Sequence, residues 1–164
     1  LGFRTDIAYS YAERYAMYFL NGVLGGFVHS KLFVNVREKA SLAYQASSSY
    51  NANKGFMLAY AGIDPKYYDQ TLEIMLKQID AIRQGDISDD EMNATRSRLI
   101  AQALLTQDSP LAQMITHLSG SMEGVEETTD ELTARLKRVT KKDIVDVAER
   151  VRLDTIYFLK GVSR

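Results

Sequence analysis

Two runs of alternating apolar and polar residues flank a turn-forming segment in the first half of the chain. The runs are residues 42–50 and 56–63, and residues 51–55 between them read Asn-Ala-Asn-Lys-Gly. Side chains alternate between the two faces of a β-strand, so each run predicts a strand. A short link rich in Asn and Gly predicts that the two strands form an antiparallel hairpin. A hairpin of this kind needs a larger sheet and a covering layer to be stable.

Helices are predicted on both sides of the hairpin, and one strand near each end of the chain. Residues 1–7 and 155–160 have the composition of strands, whereas residues 8–24 and about 30–39 place apolar side chains at helical spacing. Residues 120–127 are the one long loop-like interval. Five further helices are predicted to start at capping residues, namely Asp64, Ser88, Ser109, Thr128 and Thr140.

Strands and helices do not alternate along the chain, which argues against a doubly wound parallel sheet. We therefore predict an α+β fold with a sheet of about four mostly antiparallel strands and helices packed on one face. The 164 residues fit a single domain, residues 1–164. Because the sequence begins with Leu1 and not with methionine, we expect this domain to belong to a longer chain.

Composition excludes several classes of function. The 20 basic and 21 acidic side chains nearly cancel, so neither a nucleic-acid partner nor a membrane-surface partner is expected. The chain has no cysteine, which excludes disulfides and thiolate chemistry and suits a cytoplasmic location. No apolar run reaches the roughly 20 residues that a membrane-spanning helix needs.

Catalytic motifs are absent. The two histidines, His29 and His117, are far apart, and neither lies in an H-x-x-E-H or H-E-x-x-H motif. A helical zinc site needs two imidazoles one turn apart plus a third ligand, so we expect no metal in this chain. No G-x-S-x-G motif presents a serine nucleophile. We therefore expect no catalytic residue in this chain alone, and both histidines to be surface or packed residues.

Residues 24–50 carry the most specific pattern, LGGFVHSKLFVNVREKASLAYQASSSY. The succession L-G-G, S-K-L-F, R-E-K-x-x-L-A-Y and a serine-rich strand resembles the C-terminal, non-zinc domain of pitrilysin/insulinase-type zinc metallopeptidases. That family includes the mitochondrial processing peptidases and the respiratory-complex core proteins. Residues 88–92 and 139–144 are similar to later segments of the same domain, so the resemblance covers essentially the whole chain.

The resemblance implies one half of a two-part, clamshell-like peptidase. The other half, either an N-terminal domain of the same chain or a partner subunit, carries the zinc motif. This half would contribute an arginine and a tyrosine seven residues apart, which correspond to Arg37 and Tyr44. The resemblance implies that Arg37 and Tyr44 bind an extended peptide substrate and support the transition state. It also implies that Gly25 and Gly26 form a further loop contact with the substrate. The resemblance points to bacterial relatives and leaves this half without a cofactor of its own.

Each of these residues has a simpler structural interpretation. Arg37 pairs with Glu38 or another carboxylate, Tyr44 is one more packed aromatic, and the glycine pair only ends a helix. Elsewhere, a stripe of three tyrosines at helical spacing is predicted at the edge of the core, with a partner surface as the alternative. The acidic residues 123–131 are predicted to form a solvated loop and helix start. The tyrosines are Tyr11, Tyr15 and Tyr18.

Three functions remain open from the sequence. The first is a component of a zinc metalloendopeptidase that is inactive alone, because this chain lacks the H-x-x-E-H motif. The second is a catalytically inactive scaffold or assembly subunit with the same fold, since fold does not fix function. The third is an unrelated α+β ligand-binding domain, for which no motif was found.

Overall fold

The predicted hairpin is present at one side of the sheet in the computed structural model, which describes residues 1–161. Strands β2 (Ala43–Asn51) and β3 (Phe56–Ile63) pair antiparallel, and Gly55 in the turn between them has a φ of 61°. Strand β1 (Gly2–Arg4) pairs with β3 and with β4 (Arg152–Thr155). The sheet order is β2-β3-β1-β4, with every pairing antiparallel.

Four helices begin at the predicted capping residues, whereas Asp64 caps a 3₁₀ turn that leads into the next helix. The hydroxyl groups of Ser88, Thr128 and Thr140 each accept a hydrogen bond from the backbone N–H of the residue three positions later. The carboxylate of that later residue accepts a hydrogen bond from the backbone N–H of the capping residue. Two wide, π-helical segments, Gly22–Gly26 and Phe33–Lys39, precede the hairpin, and a 3₁₀ turn, Pro65–Tyr67, follows it. The α-helices are α1 (Arg14–Asn21), α2 (Tyr68–Arg83), α3 (Asp89–Thr106), α4 (Pro110–Met122), α5 (Thr129–Arg138) and α6 (Lys141–Ala148).

The core lies between one face of the sheet and the helices. Along β3, Met57 and Ala59 are buried whereas Leu58 and Tyr60 are exposed, as the alternation of a half-covered strand requires. Side chains of α1 and α6 fill the same core, with Phe19 among the fully buried ones. The α+β prediction with helices on one face is therefore confirmed. No helix within residues 1–161 is long and apolar enough to cross a membrane.

The ends of several elements differ from their predictions. Strand β1 stops at Arg4 instead of residue 7, because Asp6 adopts a φ of 52°, outside the extended region. Turns follow, so α1 begins at Arg14 and not at residue 8. Strand β4 is Arg152–Thr155 and not residues 155–160, because Thr155 already pairs with Gly2.

The loop predicted at residues 120–127 is shorter than expected. Helix α4 continues through Gly120 to Met122. The chain turns at Gly124, whose φ of 67° is one that glycine adopts without steric cost.

Candidate functional site

The structure brings Arg37 and Tyr44 together. Arg37 lies in the π-helical segment Phe33–Lys39, and Tyr44 lies at the start of the strand that follows. The guanidinium carbon of Arg37 is 5.4 Å from the centroid of the Tyr44 ring. The sheet register shifts between Ala43 and Ala46, so Tyr44 lies in an irregular stretch of β2. Such irregularities redirect side chains away from regular strand positions.

Arg37 is held by aromatic rings and not by a carboxylate. Its guanidinium carbon lies 4.5 Å from the centroid of the Phe33 ring, one helical turn earlier. Among residues 1–161 it forms no ion pair within 4.0 Å, so the predicted alternative of a pair with Glu38 does not apply. A guanidinium stacked through its faces keeps its N–H groups available at its edge.

Tyr44 is not a packed core aromatic. The residue is 88% exposed, and within the described chain its hydroxyl makes no hydrogen bond. A hydroxyl in this position is free to donate to a ligand. The alternative that Tyr44 only fills the core is therefore wrong.

Gly25 and Gly26 line the same hollow as Arg37 and Tyr44. The hollow has a volume of about 310 Å³, and its walls include Phe27, Val28, Phe33 and Ser47. Both glycines also end the first helical region, in the π-helical segment Gly22–Gly26, as the simpler interpretation predicted. All four residues singled out from the sequence thus surround one concave surface.

Gly25 allows the end of this helical region to lie directly against β2. A Cβ at Gly25 would stand 2.5 Å from the backbone nitrogen of Ser48. Beside this contact, the hydroxyl of Ser48 donates to Oδ1 of Asn21 over 2.8 Å. These two contacts fix the position of the hollow's glycine wall relative to the strand that carries Tyr44.

We expect Gly25→Ala to destabilise the fold by about 1–3 kcal/mol, because the added methyl group overlaps backbone that cannot move away without shifting β2. The unfolding midpoint in urea measures this loss. Gly62→Ala is the matched control, because a Cβ there meets no atom within 4 Å, and its effect should stay within about 0.5 kcal/mol. Equal midpoints for the two variants would show that the close approach is not required.

Sequence reasoning missed Phe33 as part of the site. Its spacing of four residues from Arg37 is the signal that was available, since residues i and i+4 are neighbours on a helix. His29 was predicted to be a surface or packed residue, and it is packed. Its ring stacks on Phe27 with centroids 5.5 Å apart, and its Nε2 lies 2.9 Å from the hydroxyl of Thr95. Burial lowers the pKa of His29 below its ordinary value.

The residues that the structure describes do not fit a zinc ion. Within residues 1–161 no group of three or more His, Asp or Glu side chains converges closely enough to hold a metal. His117 is exposed on α4, and His29 is engaged with Thr95. No chemical step is therefore assigned to a metal held by this chain.

The acidic residues 123–131 are not simply solvated, which corrects the prediction for this segment. A carboxylate oxygen of Glu127 lies 2.9 Å from a guanidinium nitrogen of Arg14, and these side chains are only 11% and 5% exposed. Glu127 also accepts a hydrogen bond from the Tyr15 hydroxyl and lies 3.3 Å from Arg135. Burial, and then the bond to Glu127, raise the pKa of Tyr15.

The three tyrosines predicted as one helical stripe are divided, because Tyr11 lies in the turns before α1 while Tyr15 and Tyr18 lie in the helix. Tyr15 is buried, Tyr18 is half-buried, and Tyr11 is exposed. Burial raises the pKa of Tyr18 to about 12. The stripe therefore lies mainly at the edge of the core, as predicted.

Comparison with known proteins identifies the family. Residues 1–99 match the model described as the peptidase M16 inactive domain, which is more than half of the chain. The chain belongs to the peptidase M16 family. The resemblance to the non-zinc domain of pitrilysin/insulinase-type peptidases is thereby confirmed.

Relatives of this M16 domain are named as proteases or inactive proteases. It is 38% identical over 163 residues to the probable inactive metalloprotease YmfF of Bacillus subtilis, covering 99% of this chain and 38% of the relative. It is 33% identical over 153 residues to an uncharacterized zinc protease of Streptomyces coelicolor, covering 90% of this chain and 32% of the relative. The M16 domain thus spans about a third of the length of these relatives.

Solved structures show the same fold. A conserved protein from Enterococcus faecalis superposes with a TM-score of 0.88 at 38% identity, covering 92% of this chain and 36% of that one. A peptidase M16 inactive domain from Pseudomonas fluorescens gives a TM-score of 0.75 at 14% identity, covering 92% of this chain and 38% of that one. The second likeness, at this low identity, shows the M16 fold alone.

Proposed function

We propose that this domain is the substrate-clamping C-terminal half of an M16 peptidase and holds an extended peptide against a separate, zinc-bearing half. The observation that carries the proposal is the convergence of Arg37 and Tyr44 on one open hollow. Zinc belongs to the other half, which performs the hydrolysis. This chain supplies binding and orientation of the peptide.

The two side chains offer complementary hydrogen-bond donors. The guanidinium of Arg37 is planar and presents several N–H groups in a fixed arrangement, which suits peptide carbonyl oxygens. The hydroxyl of Tyr44 donates to the oxygen that gains negative charge when an amide is attacked. Since neither group is tied to a carboxylate in the described chain, both are available to a substrate that enters the cleft between two halves.

The open face of the sheet is the surface on which the second half would lie in this proposal. A depression of about 870 Å³ lies along it and includes Leu58, Tyr60 and Tyr157, each of them exposed in the described chain. Exposed apolar side chains grouped on one face are a feature of contact surfaces. The partner in this proposal is a zinc-bearing N-terminal domain or subunit.

One observation favours a second candidate, a scaffold without peptidase activity. The relative that is 38% identical over nearly the whole chain is named a probable inactive metalloprotease. In this alternative the domain assembles with its partner, but no peptide is cleaved.

Reconstitution distinguishes the two functions. The chain is mixed with the zinc-bearing half, or studied within the longer protein, and cleavage of an internally quenched fluorescent peptide is followed. We expect cleavage only when both halves are present, and its loss when the zinc is removed by a chelator. A complex that forms in size-exclusion chromatography but never cleaves would favour the scaffold instead.

A further inference from the structure

Helix α4 carries its apolar side chains on the surface. Five large apolar residues between Pro110 and Met122 are each 54–74% exposed. Their spacing of three, one, three and four residues puts all of them on one face, a stripe roughly 100° wide at 3.6 residues per turn. The stripe consists of Leu111, Met114, Ile115, Leu118 and Met122.

On the side of α4 opposite the stripe, one position near the C-terminal end is buried. Gly120 is the buried residue of this helix, and it lies half a turn away from the apolar stripe. A Cβ at Gly120 would stand 2.4 Å from the carbonyl oxygen of Val125. Val125 belongs to the turn that follows α4, so this contact closes the end of the helix and does not pack it against the sheet. Gln113, Thr116 and His117 on the same side are exposed. The large apolar residues of α4 nevertheless face outward, where a surface helix ordinarily carries polar ones.

Within the described chain, α4 has little to stabilise it as a helix. It has 13 residues, of which Gly120 is the buried one, and it contains no Asp, Glu, Lys or Arg that would form ion pairs along its surface. Isolated helices shorter than about 12–15 residues are marginal in water, and most gain their stability from packing of an apolar face. Ser109 caps the helix and Pro110 begins it, but within residues 1–161 none of the large side chains of its apolar face is buried.

We propose that the apolar stripe of α4 is a homodimer interface that pairs with the same stripe of a second copy of this chain. Together with Leu104 and Leu105 at the end of α3, the side chains of the stripe expose on the order of 700 Å² of solvent-accessible surface. A stable interface of standard size buries about 800 Å² on each partner. One copy of the patch therefore supplies most of the area that one partner needs, and a twofold axis presents an identical patch to it.

Charge favours an antiparallel arrangement of the two helices. The stripe is uncharged, so two copies meet without bringing like charges together. Glu123 follows the C-terminal end of α4 and, in an antiparallel pair, lies beside the N-terminal end of the partner helix. Negative side chains are stabilised at helix N-termini. The absence of Lys and Arg from α4 argues against a membrane surface as the occupant.

The oligomeric state tests the proposal. We expect sedimentation equilibrium of the 18.5 kDa chain at tens of micromolar to give the mass of a dimer. Ile115→Lys and, separately, Met114→Lys should each raise the dimer dissociation constant at least about tenfold, because each places two charges in the apolar contact. Leu159→Lys is the matched control, since Leu159 is 79% exposed outside α4, and it should leave the dimer intact.

Engineered cysteines test the arrangement, because the natural chain has none. In an antiparallel pair the middle of the stripe lies at the twofold axis. Ile115→Cys should therefore form a disulfide-linked dimer on mild oxidation, whereas Leu111→Cys alone should not. A mixture of Leu111→Cys and Met122→Cys chains should cross-link. Cross-linking of all single variants alike would overturn the antiparallel arrangement.

Two results would overturn the proposal as a whole. One is a monomer throughout the concentration range. The other is a monomer that binds the zinc-bearing half and loses that binding in Ile115→Lys, because the stripe would then contact the other half. Neither result bears on the hollow formed by Arg37 and Tyr44, so failure here is distinct from failure of the proposed peptidase role.

Discussion

Tyr44→Phe is expected to lower kcat/KM of the assembled peptidase by about 10²- to 10³-fold, the usual cost of losing one donor to a developing oxyanion. The substitution removes a single hydroxyl that has no hydrogen-bond partner within residues 1–161. The residue is 88% exposed, so the free energy of unfolding should not change. Initial rates with an internally quenched peptide, together with thermal unfolding, measure both quantities.

The controls for this prediction separate chemistry from general perturbation. Tyr67→Phe removes the hydroxyl of another exposed tyrosine, outside the hollow, and should leave the rate unchanged. Arg37→Lys keeps the positive charge but loses the planar group that stacks on Phe33, and should also lower the rate. A Tyr44→Phe enzyme with the normal rate would remove the hydroxyl from the mechanism.

Glu127→Gln is expected to destabilise the domain by about 3–5 kcal/mol, since it leaves the buried guanidinium of Arg14 without its counter-charge. For a chain of this size, the melting temperature should fall by on the order of 10 °C. Differential scanning calorimetry measures the change. Glu126→Gln, at the exposed neighbouring position, is the control and should have little effect.

A double variant identifies the cause of that loss. Arg14→Met in the Glu127→Gln background removes the uncompensated charge while the glutamine still accepts the hydrogen bond of Tyr15. We expect the double variant to be more stable than Glu127→Gln alone. If Glu127→Gln by itself leaves the melting temperature unchanged, the ion pair does not hold residues 123–127 against α1.

The hairpin and the helix starts were predictable because their signals are local. Alternation in residues 42–50 and 56–63, and the capping residues Ser88 and Thr128, depend on a few neighbouring positions. The end of β4 depends on its pairing with Gly2, some 150 positions earlier in the chain. Such a partner leaves no trace in the local pattern, so the predicted boundary was wrong.

The distinction between local signals and distant partners also applies to the candidate site and the contacts around it. Arg37 and Tyr44 were selected through the family pattern, whereas nothing in the local sequence indicated that Glu127 closes on Arg14, 113 positions away. Lys31 belongs to the same family pattern, but its contact is with another part of the fold. Its Nζ lies 3.1 Å from a carboxylate oxygen of Glu91. A motif therefore mixes residues that hold the fold with residues that face the hollow, and coordinates are needed to separate them.

The irregular register of β2 has a consequence for how a peptide can be held. β2 is an outer strand of the sheet, and regular outer strands invite another chain to join them through backbone hydrogen bonds. The shift between Ala43 and Ala46 lies in the pairing of β2 with β3, and it bends β2 beside Tyr44. A bent outer strand is a poor template for a further strand, which discourages aggregation through this edge. Under the proposed function, recognition of a peptide at this point would then rest on side chains such as those of Arg37 and Tyr44.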